Sequence, residues 1–119
     1  MERAQVHARN ADAGGIPERE TWLRQALAQR ILVLDGAMGT MIQQAGLSAE
    51  DFGGEAYEGC NEILVLTAPE VIRRIHEAYL EAGADIIETN TFGATRVVLA
   101  EDGLQDRAYE INVAAARLA

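Results

Sequence analysis

The chain has 119 residues, an ordinary 49% hydrophobic content, and a net charge of −9 from 19 acidic and 10 basic residues. That length suits one small domain, and the charge repels phosphate backbones and anionic lipid, arguing against nucleic-acid and membrane partners. No run approaches the roughly 20 apolar residues of a membrane span. The opening MERAQVHARNADAGG lacks a secretory signal's apolar centre, and the single cysteine, Cys60, suits a reducing cytoplasm.

Residues 1–16 are polar, rich in Ala and Gly and aperiodic, which predicts a disordered arm ahead of an ordered part over 17–119. In PERETWLRQALAQR, Pro17 suits a first helical turn, and Trp22, Leu23, Ala26 and Leu27 share one helical face. ILVLD, Ile31 to Asp35, does not alternate apolar with polar and reads as a short, fully buried strand. Thr40-Met41-Ile42-Gln43 has the T-x-x-Q form of a capping box and predicts a short helix that Gly46 stops. Residues 47–66, with Gly53, Gly54 and Gly59, read as a loop-rich insertion.

Thr67-Ala68-Pro69-Glu70 is a second capping box. The helix it opens carries Val71, Ile72, Ile75 and Tyr79 on one stripe and closes at Gly83. DIIETN reads as the second strand, a helical piece over Arg96–Glu101 ends at Gly103, and a last helix begins near Asp106. Strands alternating with amphipathic helices predict an α/β fold of parallel β/α units with helices outside. Two parallel strands enclose no core of useful size, so they are expected to open a larger α/β fold.

In β/α architectures, function concentrates at the carboxyl ends of strands. ILVLDGAMGT delivers Asp35 there, and ADIIETNTF delivers Glu88, Thr89, Asn90 and Thr91. On an extended strand, Glu88 and Asn90 share one face and Thr89 and Thr91 the other. Asp35 could instead be a turn-forming Asx residue before Gly36, and Glu88 could be one half of a buried ion pair. The polar run ETNT favours a site, because a buried strand has no packing use for it.

D-G-A-M-G-T matches neither glycine-rich phosphate motif, and the chain contains no lysine. An acid ahead of the glycines repels phosphate and suits an ammonium, such as the α-amino group of an amino acid. Cys60 has no Cys or His at ligand spacing and reads as structural. His76, flanked by charges in PEVIRRIHEAYLEAG, reads as a helix-surface residue, and Trp22 and Tyr79 as packing residues.

Together ILVLDGAMGTMIQ, EGCNEILVLTAPEVIRRIHEAYLEAGADIIETNTFGAT and YEINVAAARLA resemble the start of the homocysteine-binding module of cobalamin-dependent methionine synthases, from Ile31 to Ala119. Betaine–homocysteine methyltransferases and other homocysteine S-methyltransferases share the module with looser motifs. The resemblance implies a (β/α)8 TIM barrel, of which this chain holds the opening two β/α units, incomplete. It implies methyl transfer to the zinc-held thiolate of homocysteine, giving methionine. Cobalamin and methyltetrahydrofolate would act through other corrinoid- and folate-binding modules of the parent chain. Asp35, Gly36, Met38, Glu88, Thr89, Asn90, Thr91 and Phe92 would contribute to the homocysteine pocket.

The family's zinc cysteines lie in a Gly-Gly-Cys-Cys type segment and at an earlier cysteine, and neither is present here. Cys60 matches no ligand position. No catalytic or metal-binding residue is therefore expected in this chain, zinc ligands are expected downstream, and the chain alone is expected to be inactive. A fragment of a cobalamin-independent zinc homocysteine S-methyltransferase and a non-catalytic truncated product both stay open as alternatives.

Overall fold

Six α-helices and five short 3-10 turns follow one another along residues 15–119, the part of the chain that the structure, a computed structural model, describes. The arm expected over 1–16 lies outside the described residues except for Gly15 and Ile16, and Ile16 already belongs to a helix. That helix, α1 (Ile16–Gln29), has Pro17 in its first turn, buries Ala26 and half-buries Trp22 and Leu23. Helix α2 (Gly39–Gln44) ends before Gly46. Three 3-10 turns over residues 49–63 lead into α3 (Leu64–Thr67) and α4 (Pro69–Ala82). Helices α5 (Arg96–Leu99) and α6 (Ala108–Leu118) complete the order. No helix among the described residues is long and apolar enough to cross a membrane.

The α/β expectation is corrected. The described residues contain no strand and no sheet, so the two β/α units of an incomplete TIM barrel are absent from this structure. The two stretches read as strands meet at one isolated parallel bridge, Leu34 with Ile86. The backbone bonds there are Asp85 N–H to Val33 O (2.8 Å), Ile86 N–H to Val33 O (3.2 Å) and Asp35 N–H to Ile86 O (2.9 Å). Carboxylates end the pairing on both sides. Val33 N–H donates to Asp85 Oδ2 at 3.0 Å, and Glu88 N–H donates to Asp35 Oδ2 at 3.0 Å. Side chains thus take the amides that a ladder would use, and no neighbouring segment extends it. Burial differs accordingly: Ile31 is 88% exposed and Val33 and Leu34 are also exposed, although ILVLD reads as a buried strand.

A forked ion pair reinforces the bridge. Arg30 donates from both terminal nitrogens to Asp85, at 2.9 and 2.8 Å, and the Asp85 side chain is 5% exposed. Its hydrogen bond to Asp85 raises the guanidinium's pKa further.

The core lies elsewhere. Ile63, Leu64 and Val65 pack with Ile72 and Ile75 of α4, Leu99 of α5 and Ile111 and Ala115 of α6, and Phe52 and Cys60 join them. Half of these residues come from 47–66, which reads in sequence as an insertion. The stripe of α4 is as the spacing predicts, with Ile72 and Ile75 buried and Val71 and Tyr79 half-buried. Gly83 closes that helix in the left-handed region (φ 110°), which a glycine enters without steric cost.

Neither predicted capping box forms. Met38 precedes α2 without a side-chain cap, and Ala68 rather than Thr67 precedes α4, because Thr67 is still the last residue of α3 and donates back to Ile63 O. A box that does form, Ser48 with Asp51, caps the first 3-10 turn.

His76 is also corrected. It is 3% exposed rather than on the helix surface, and neither ring nitrogen has a hydrogen-bond partner. Burial pushes its pKa below the usual 6.5, only partly opposed by the charge of Asp35. The unfolded chain takes up a proton near pH 6.5, whereas the folded chain does so only at lower pH. Between those values the unfolded state binds more protons, so stability is full above about pH 6.5 and falls as the pH drops through that interval. Urea midpoints measured from pH 7.5 to 5 are expected to show this loss, and His76→Leu is expected to flatten it. An unchanged pH dependence in His76→Leu would assign the loss to other groups.

Candidate functional site

Two chain segments far apart in sequence wall one cleft. Asp35, Gly36, Ala37, Met38 and Gly39 line it with Glu88, Thr89, Asn90, Thr91 and Phe92, and Asn61 and Glu62 complete the lining around about 360 Å3. All eight residues singled out in the sequence are brought to this one place.

The first wall is a turn leaving the Leu34–Ile86 bridge. Tyr79 of α4 donates its hydroxyl to Ala37 O at 2.7 Å, and that hydroxyl lies 3.3 Å from where a Cβ on Gly36 would stand. Only glycine lets the turn pass this close to the ring without pushing it away. Asp35 is half-buried, and its Oδ2 receives the Glu88 amide, tying the two walls together.

The second wall is not an extended strand. Thr91 N–H bonds to Thr89 O at 2.9 Å and the two threonine hydroxyls share a 2.7 Å hydrogen bond, so the run bends there. Thr89 and Thr91 lie on one side, as expected, but Glu88 and Asn90 part company. Glu88 is exposed, whereas Asn90 is 5% exposed and donates to Asn61 O at 2.8 Å. Phe92 is fully exposed.

Asn61 and Glu62 escape sequence reasoning. They lie in EGCNEIL, inside the stretch read as loop, where attention falls on Cys60. The only signal is the adjacency of an amide and an acid to a glycine and a cysteine, and that has no periodicity to mark it.

The cleft offers carboxylates at Asp35 and Glu88, hydroxyls at Thr89 and Thr91, and the backbone of a glycine-bearing turn. Such a set has the chemistry to suit a zwitterion, acids for an ammonium and hydroxyl or amide donors for a carboxylate. A thiolate metal centre does not fit these residues. Cys60 is buried in the core and its thiol is pushed up to about 11, chiefly by burial and further by Asp102 and Glu62, so it stays protonated. Among the described residues no three His, Cys, Asp or Glu side chains converge where a metal could be held.

A family model described as homocysteine S-methyltransferase matches residues 32–119. The chain belongs to the homocysteine S-methyltransferase family. Both walls of the cleft, Asn61 and Glu62 lie within the matched range. Membership in the homocysteine S-methyltransferases points to homocysteine as the substrate and to its methylation as the reaction.

Proposed function

We propose that the cleft holds homocysteine by its amino-acid end, with Asp35 taking the ammonium, as part of a cobalamin-dependent methionine synthase. Glu88 adds negative charge beside Asp35, and Gly36, Met38, Thr89, Asn90, Thr91 and Phe92 complete the contact surface. The observation that carries this reading is the junction of Asp35 with the Glu88 amide at 3.0 Å across 53 residues of sequence. It sets an acid from one polar stretch against the start of the other.

Charge then orients the substrate. A thiol beside Asp35 and Glu88 is held protonated by their field, which opposes its use as a nucleophile. The sulfur end therefore lies away from these acids, and the α-carboxylate lies toward the Thr89 and Thr91 hydroxyls. Because the described residues do not fit zinc, its ligands are assigned in this proposal to a part of the enzyme outside them. Cobalamin and methyltetrahydrofolate are likewise assigned to other modules, in a cytoplasmic enzyme.

Calorimetric titration of the 119-residue chain with L-homocysteine and with its desamino analogue tests the reading. Loss of the ammonium is expected to weaken binding by roughly 30-fold. Equal affinities for the two compounds would remove the acids from recognition.

A further inference from the structure

We propose that Glu62 is a positioning residue of this site, its carboxylate latching the wall that carries Thr91 and Phe92 through the amide of Gly93. The proposal rests on the homocysteine reading for its ligand, but the latch itself is a matter of geometry. Glu62 Oε1 accepts from Gly93 N–H at 2.9 Å, and the Cys60 thiol points at Oε2 from 3.8 Å. Both carboxylate oxygens are thus engaged from within the protein.

The approach at Gly93 is as close as a backbone allows. A Cβ there would stand 2.8 Å from Glu62 Oε1 and 3.1 Å from a methyl of Val98, so a side chain at this position would break the latch or displace α5. The residue before Glu62 supplies a second tie, because Asn61 O receives the Asn90 side chain at 2.8 Å. Consecutive residues therefore grip the wall at 90 and at 93, on either side of Thr91 and Phe92. A charged acceptor on a backbone amide is among the stronger hydrogen bonds available, and Glu62 provides one at the far end of the polar run. With Glu62 truncated, the wall stays tied at Asn90 and at the buried Ala94, whose carbonyl accepts from the Asn112 side chain at 2.8 Å, and loses its hold at Gly93 between them. Thr91 and Phe92, which lie between those ties, then lose one of the contacts that fix their placement opposite Asp35.

A contrasting role is direct: Glu62 could act on the ligand's ammonium as another acid of the cleft. Glu62→Gln separates the two, since its amide oxygen can still accept from Gly93 N–H while the charge is gone. The test uses the 119-residue chain, with homocysteine titration, amide hydrogen exchange at Gly93 and urea midpoints. Glu62→Ala is expected to bind homocysteine about tenfold more weakly and to exchange the Gly93 amide faster, while Glu62→Gln stays within about threefold of wild type. Gly93→Ala, with Glu62 intact, is expected to reproduce the weakening, and with Glu62→Gln it keeps the test decisive if the Glu62→Ala chain does not fold. Unchanged Gly93 exchange in Glu62→Ala overturns the latch. A Glu62→Gln chain as weak as Glu62→Ala overturns positioning in favour of direct charge. A wild-type chain that does not bind homocysteine overturns the ligand reading, and Gly93 exchange then decides the latch by itself.

Discussion

Asp35→Asn is expected to weaken homocysteine binding by roughly 2–4 kcal/mol, about 30- to 1000-fold, with little change in stability. The substitution keeps the side chain's shape and an oxygen able to accept from Glu88 N–H, the contact that Asp35 makes at 3.0 Å. What it removes is the negative charge opposite the ammonium in a half-buried position, where a charge-assisted contact is worth more than in bulk water. If Asp35 served only as a turn residue, the same change would leave affinity alone and lower stability slightly. Titration of both chains with homocysteine, alongside urea denaturation, separates the outcomes. Equal affinities would return Asp35 to a structural role.

Leu64→Ala is expected to cost about 3–5 kcal/mol of folding stability, the range for large-to-small changes that leave a cavity in a packed core. Leu64 is fully buried and sits among Ile63, Val65, Ile72 and Ile111. A small domain's whole stability is only about 5–15 kcal/mol, so this one side chain carries a large share. Were residues 47–66 a surface insertion, the change would stay within about 0.5 kcal/mol. The urea midpoint of Leu64→Ala distinguishes these, and a near-wild-type value would contradict the core described above.

Much of the helical order was legible in the sequence because period and stop signals agreed. The stripe of Ile72, Ile75 and Tyr79 ending at Gly83 lies where its spacing predicts, and the piece ending at Gly103 does too. Misreadings arose where a local pattern needed a distant partner. ILVLD has strand composition, but a strand requires neighbours, and here its pairing stops at carboxylates from Asp85 and Asp35. The Thr67 box was overridden because α3 holds Thr67 within its last turn. Residues 47–66 carry glycines that look like loop, yet their apolar residues fill the core from 3-10 turns and the single-turn helix α3, which have no long period to detect. His76 sits among charged neighbours in sequence while its own side turns inward. The cleft was legible as two polar stretches. Their convergence on one pocket was expected, but the part of Asn61 and Glu62 was not, because only the folded chain places those residues beside the two stretches.

The segment that carries Asp35 contributes no side chain to the main core cluster, and across the bridge Ala84 alone of residues 84–88 is buried. Hydrogen bonds, one bridge and the Arg30–Asp85 fork hold these stretches in place. Elements tied mainly by such polar contacts open at lower free energy than packed helices do, so the cleft can breathe while α3, α4 and α6 remain folded. Breathing of the pocket and melting of the protein are then separate events. A ligand spanning both walls damps the first and, by mass action, adds to the free energy of the second only as much as its concentration and affinity allow.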